Sequence, residues 1–495
     1  MATPASDAGP ARDAEQEEVA DPRRWRILGV SLVVGFMSLL DVSIVNVAIP
    51  SMQEGLSTSA GTIQWVVSGY ALTFGLTLVA GGRLGDAFGR RRLMLIGLAG
   101  FIVSSAAVGL APNAALVVLA RLAQGATAGL LTPQNSGLIQ QLFRGRERAR
   151  AFGMFGFTVS SASALGPVLG GLIIAAAGED DGWRWLFLIN VPIGLVAMVA
   201  VARLVPRREP GAARDPANRI DVPGALLLGA TVLCLLYPVV RLEGGERLPL
   251  VLLAGVPLFT WAFVAWERHL TRTGHAPLLD LALLRELPGY VNGLAVGALY
   301  FTGFTGVLLV VSVHLQGDLG YTPLMAGLLL MPFAVGSAVA APVAGRLVSD
   351  VGRRITVIAL VVMMTGVAAL ALLAPHADPL WPVAVPALLV AGLGGGAVIS
   401  PNLTLTLTDV PPRMGGAAGG ALQTGQRIGS AIGAALLMTV YELTRDSASS
   451  TTALTAALVT ALVVLSVALA MSLLSLRQER RQSRSTGAAT TPSDA

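Results

Sequence analysis

Apolar runs of membrane-spanning length follow one another from residue 27 to residue 476, and this succession constrains the chain more than any other feature. About fourteen can be placed: 27-50, 62-82, 93-111, 115-137, 151-177, 185-204, 222-240, 248-266, 289-313, 324-345, 355-374, 380-405, 416-441 and 453-476. At about 20 residues per membrane helix, they consume roughly 280 positions and leave little for a separate soluble domain. Composition agrees, since 54% of residues are hydrophobic and only 13% charged. The expected fold class is an all-α polytopic membrane protein.

All 34 basic residues are arginine. Phosphate-loop, Schiff-base and kinase-type lysines are therefore excluded, and hydrolysis of a nucleotide is not the expected energy source. The arginines sit in short clusters between apolar runs, a pattern of membrane topology that implies no nucleic-acid partner. Cys234 is the single cysteine, so neither an internal disulfide nor a cysteine metal cluster can form. His269, His275, His314 and His376 read as scattered over polar loops without ligand spacing. No metal and no cofactor are expected.

Residues 1-24 lack the charged start and short apolar core of a secretory signal and read, like 477-495, as a disordered tail. Arginines on alternate sides of the runs number about 28 on the side of the N-terminus and about 4 opposite, namely Arg184, Arg241, Arg247 and Arg445. Cytoplasmic loops carry the excess, so both termini are expected in the cytoplasm and the chain in the cytoplasmic membrane.

The segment Gly82-Arg83-Leu84-Gly85-Asp86-Ala87-Phe88-Gly89-Arg90-Arg91 recurs as Gly345-Arg346-Leu347-Val348-Ser349-Asp350-Val351-Gly352-Arg353-Arg354. Both glycines, the first arginine and the arginine pair keep register, while the acid moves by one residue. Two related halves mark a secondary transporter whose site lies between the repeats. The expected division is a six-helix bundle at 25-205, a linker with two extra membrane helices at 206-288, and a second six-helix bundle at 289-476.

Three charges fall inside runs. Asp41 lies about fifteen residues beyond Arg26, hence about 22 Å along a helix rising about 1.5 Å per residue. A carboxylate there is costly unless protonated, paired or wet, which suits it to couple proton exchange to conformation; a purely structural pairing is the alternative. Arg121 and Gln124, one turn apart, lie at a depth from which Arg121 can pair with Asp41, as a relay or as a permanent tie. Arg427 has no acidic partner in the pattern; backbone carbonyls, Gln423 or Gln426 could satisfy it. Beyond Asp41 no acid falls deep in a span, Glu442 lying at an edge. Gly166-Pro167-x-x-Gly170-Gly171 permits a bend and close helix approach. The segment from Gly82 to Arg92 reads as a loop in which Asp86 can make charge pairs or meet a helix N-terminus. A topology signal explains its arginines but neither its glycines nor the repeat, so a conformational lock is the stronger account.

Taken in order, these motifs resemble the major facilitator superfamily, and within it the fourteen-span drug:proton antiporters. The resemblance covers about residues 25 to 476. It rests on Leu40-Asp41-Val42-Ser43-Ile44-Val45-Asn46-Val47-Ala48-Ile49-Pro50, on Gly82 to Arg91, on Arg121-Leu122-Ala123-Gln124-Gly125 and on Gly166 to Gly171. Trp183-Arg184-Trp185-Leu186-Phe187-Leu188-Ile189-Asn190-Val191-Pro192 and Arg219-Ile220-Asp221 resemble the fourteen-span branch in particular.

The resemblance implies two six-helix bundles with two extra central helices, and a proton-coupled antiporter exporting a small hydrophobic, in some members cationic, drug or antibiotic. It implies proton coupling at Asp41, Arg121 and Gln124, and a substrate cavity bordered by Asn46, Trp65, Tyr70 and Arg427. It further implies a cytoplasmic gate at Gly82, Arg83, Asp86, Gly89, Arg90 and Arg91, and an antiporter bend at Gly166, Pro167, Gly170 and Gly171. The partners are the substrate, protons and the bilayer, with the monomer as working unit. An uptake symporter of the same fold is the first rival, and the fifth-span pattern argues against it. A membrane enzyme would need a nucleophile with a base, or a metal site, at one depth.

Overall fold

The computed structural model describes residues 21-488 apart from 179-180, 208-220, 244-247 and 276. Most of the first tail, Arg219, Ile220 and the last seven residues lie outside the described residues. Among the described residues there are sixteen α-helices and no strand. They are α1 (Arg24–Gly55), α2 (Ala60–Phe88), α3 (Arg90–Gly109), α4 (Ala114–Leu142), α5 (Gly145–Ala177), α6 (Gly182–Leu188), α7 (Asn190–Leu204) and α8 (Val222–Glu243). There follow α9 (Gly255–Arg272), α10 (Leu281–Glu286), α11 (Pro288–Val313), α12 (Pro323–Val351), α13 (Arg354–Leu373), α14 (Trp381–Thr406), α15 (Gly415–Arg445) and α16 (Ser450–Ala488).

Each apolar run falls on helix, yet by length and composition the described residues give eleven candidate spans, or twelve when bent α5 is one span. The expected fourteen exceeds this by α8, whose apolar part Val222–Pro238 is short, and by α15. Glycines, Gln423, Gln426 and Arg427 dilute the apolarity of α15. Large apolar side chains face outward, Val103 being 69% and Val196 72% exposed, the reverse of a soluble protein. Helices answer the bilayer's demand that every backbone polar group be satisfied within the segment.

Two expectations are corrected. The loop expected from Gly82 to Arg92 is almost all helix: α2 runs to Phe88, α3 starts at Arg90, and Gly89 alone joins them. The tail expected from 477 is helical through Ala488, its first part carried by the good helix formers Leu476, Arg477, Gln478 and Glu479.

In the first half α2 packs on α4, α4 on α3, α3 on α7 and α1 on α5; in the second, α12 packs on α14, α14 on α13, and α11 on α15 and α16. The halves meet where α2 and α4 touch α15, and where α5 touches α12 and α14. The α8–α9 pair leans on α2 and α15 through α8.

Candidate functional site

Asp41 on α1 is 1% exposed and its carboxylate collects three side chains. Arg121 of α4 donates from Nη1 to Oδ2 at 2.5 Å, while Gln124 of α4 and Asn190 of α7 each donate to Oδ1 at 3.1 Å. Arg121 is held in turn by donation from Nε to the Val66 carbonyl at 3.0 Å and from Nη1 to Gln124 Oε1 at 2.8 Å. Ser105 of α3 accepts from Gln124 and Asn190 at 3.1 Å each, and donates to the Phe187 carbonyl at 2.9 Å. The guanidinium lies 4.1 Å from the Tyr70 ring centroid and 5.5 Å from that of Phe187. An ion pair so fully desolvated survives only because hydrogen bonds take up its remaining donors and acceptors. Side chains of α4 and α7 meet the carboxylate of α1, and α3 joins through Ser105, so a change in its charge is felt across all four helices.

Aromatic rings lead from this network toward the second half. Tyr70 stacks on Phe74 at 5.9 Å between centroids, and the Arg427 guanidinium lies 4.7 Å from the Phe74 centroid. Arg427 of α15 thus meets a ring, while Gln423 donates to Ser136 at 3.0 Å. Trp65 lies 5.7 Å from the Tyr237 ring of α8. The Asn46 side chain falls outside the described residues.

The repeated segment forms a contact between the halves. Asp86 of α2 accepts from the backbone amides of Gly416 at 3.2 Å and Ala417 at 2.9 Å, in the first turn of α15, and from Arg90 Nη2 at 2.6 Å. A helix N-terminus presents unsatisfied N–H groups and a positive dipole end, so the carboxylate caps α15 from the other half. Gly82 makes the approach possible, because a Cβ there would overlap the Gly416 carbonyl group. Arg90 also reaches the Pro412 carbonyl at 3.4 Å, and Arg91 donates to the Ala202 carbonyl. Arg83 is half-buried on α2.

Gly89 has φ +94°, a conformation that costs an L-residue about 1–3 kcal/mol. Gly89→Leu is therefore expected to lower the thermal midpoint by several degrees and to slow transport, with thermal unfolding and vesicle flux as the measurements.

The second copy explains the displaced acid. Asp350 of α12 pairs at 2.6 Å with Arg146 in the first turn of α5, so both repeats join a helix end of the opposite half. The two side chains are 52% and 74% exposed, however, so this pair contributes little beside the buried Asp86 contact. In α5 the helix bends by 42° at a break between Ser163 and Val168, the interval that holds Gly166 and Pro167. A Cβ on Gly166 would strike Ser43 of α1, whereas one on Gly171 would meet nothing. Gly170 is buried, and the Pro167 side chain falls outside the described residues.

Asn190 and Ser105 were not picked out by patterning as parts of the Asp41 network. Asn190 was visible in the Trp183–Pro192 motif, but nothing local says that it points at α1. His314 and His269 are corrections: His269 lies in α9, and His314 is 1% exposed in the π-helical turn after α11. There His314 Nδ1 lies 3.0 Å from Asp318, which also pairs with Arg445 at 2.7 Å and accepts from Tyr441. Glu267 of α9 is also fully buried, near the Arg272 end of the candidate span Leu250–Arg272.

The family description Major Facilitator Superfamily matches residues 31-434. A probable actinorhodin transporter of Streptomyces coelicolor is 38% identical over 81% of this chain and 69% of its own length. The puromycin resistance protein pur8 of Streptomyces alboniger is 35% identical over 82% and 79%. The tetracenomycin C resistance and export protein of Streptomyces glaucescens is 32% identical over 81% and 73%. Among solved structures, a human organic anion transporter aligns with TM-score 0.66 at 16% identity, over 91% of this chain and 100% of its own. A proton:xylose symporter aligns with TM-score 0.63 at 17% identity, over 89% and 94%. With the all-helical fold and the repeated contact between its halves, the match over most of its length makes this chain a membrane transporter of the major facilitator superfamily.

Proposed function

We propose that the chain is a proton-coupled antiporter that exports a small hydrophobic antibiotic, drug or toxic metabolite across the cytoplasmic membrane by alternating access. The observation that carries this reading is the buried Asp41–Arg121 pair with Gln124 and Asn190 around it. Protonation of Asp41 removes the counter-charge of Arg121, so binding and release of a proton change the packing of α1 against α4 and α7. The relatives named for antibiotic transport and resistance support the substrate class. The bend in α5 supports the direction by the family's exporter pattern.

In this reading fourteen spans form, α8 and α15 included. Bundles at 25-205 and 289-476 rock about the central site, with 206-288 carrying the extra pair, and Asp86 with Arg90 closes the cytoplasmic side. Both termini are cytoplasmic, which the arginine excess on their side supports. The proton gradient is the energy source, no cofactor takes part, and one copy suffices. Tyr70, Trp65 and Arg427 border the substrate path.

Inside-out vesicles with an acid interior and a trapped pH dye test the reading. Antibiotics, neutral dyes and lipophilic cations are screened for collapse of the gradient, and the expected result is collapse by at least one compound that accumulates inside. Accumulation that dissipates no protons excludes proton coupling, and efflux of compound along with protons makes the chain a symporter.

A further inference from the structure

A cavity of about 320 Å³ opens on the arginine-rich face beside the Asp86 contact. Its charged lining is Asp86, Arg90, Arg91, Arg207 and Arg413, four arginines against one carboxylate. That carboxylate is already committed to Arg90 and the α15 amides. Arg90 Nη1, on a side chain only 7% exposed, has no hydrogen-bond partner. Among the described residues Arg207 and Arg413 are in no ion pair. Arg91 belongs to the first half and Arg207 follows directly on its last helix, α7, whereas Arg413 lies just before α15 in the second.

We propose that this cavity binds a phosphate mono- or diester anion, which bridges Arg91 and Arg207 to Arg413 and holds the halves closed at the arginine-rich face. The guanidinium fork matches phosphate oxygens, and a doubly or singly charged anion offsets the positive excess that the committed Asp86 leaves. The positive-inside rule accounts for arginines on this face but not for their convergence on one cavity from both halves. Exposed Arg92 and Arg346 show the scattered arrangement that topology alone requires. Two sources carry the chemistry: the headgroup of an anionic lipid in the adjoining leaflet, and a soluble phosphate. The effect on opening rests on the reading of the Asp86 contact as a gate, while binding does not.

The test uses the full chain in phosphatidylcholine nanodiscs, with Cys234→Ser and a cysteine pair at Arg146→Cys and Asp350→Cys, outside the cavity. The rate of cross-linking by a short bis-thiol reagent reports closure, and phosphorus NMR line broadening reports binding. Phosphatidylglycerol in the bilayer, or inorganic phosphate in the buffer, is expected to broaden the phosphorus signal and raise cross-linking about fivefold. Response to the first alone identifies a lipid, and response to the second a soluble phosphate. Arg207→Gln with Arg413→Gln is expected to lose both responses, and Arg346→Gln to keep them. Broadening without a change in cross-linking overturns the bridging and leaves the antiporter reading intact. No broadening with either probe, or equal loss in Arg346→Gln, overturns the site.

Discussion

Asp41→Asn is expected to abolish gradient-driven transport, by at least about 100-fold, while the protein still reaches the membrane. The substitution keeps the shape of the side chain and removes its charge. Arg121 then remains 1% exposed with no carboxylate beside it. Removing one partner of a buried pair costs about 3–5 kcal/mol, because the other charge stays desolvated. The new amide nitrogen replaces an oxygen that accepts, either Oδ1 from Gln124 and Asn190 or Oδ2 from Arg121, so at least one hydrogen bond is lost.

Loss of transport through loss of folding must be separated from loss of coupling, and Arg121→Gln on the Asp41→Asn background does so. The double variant has no unpaired charge, so its thermal midpoint is expected to recover toward that of the parent. Its proton-coupled flux is expected to remain absent, since no titratable group is left in the network. Recovery of gradient-driven flux in the double variant, or full flux in Asp41→Asn, would remove Asp41 from the mechanism and leave the pair a structural tie. Measurements of flux and of thermal unfolding on the same preparations decide between these outcomes.

The succession of apolar runs made the helical fold legible, because in a bilayer an apolar run of this length has few alternatives. Asp41 and Arg121 were legible for the same reason: charges are so expensive in a span that each one draws notice. What patterning missed depended on neutrality or on distance. Asn190 and Ser105 are uncharged and cost little to place in a helix, and only the fold brings α3 and α7 to α1. Asp86 was read as able to make charge pairs or to meet a helix N-terminus, but which helix was not legible, since the α15 amides lie some 330 positions along the chain. The fate of Asp350 shows the limit from the other side. Its shift by one residue was visible in the repeat, but not that the acid thereby pairs with Arg146 instead of with a helix end's amides.

Gly82→Val is expected to open the arginine-rich face and to do so more strongly than loss of the Arg146–Asp350 pair. At position 82 any Cβ overlaps the Gly416 carbonyl group, and the obstacle is backbone on a second helix, which cannot swing aside as a side chain would. The strain falls only on the conformation in which α2 and α15 touch, since α2 itself gains from replacing glycine in a helix. A conformational equilibrium therefore shifts by the full clash, and Asp86 loses the amides of Gly416 and Ala417 together with the contact. Cross-linking between cysteines at 146 and 350 is expected to fall about tenfold or more, the response to roughly 1.4 kcal/mol. Arg146→Ala, by contrast, removes an exposed pair worth well under about 1 kcal/mol, and its effect on closure, read by spin-label distances across the same face, is expected to stay within about threefold. Unchanged cross-linking in Gly82→Val would show that the α2–α15 contact yields without separating the halves, and the contact would then be packing within a rigid face.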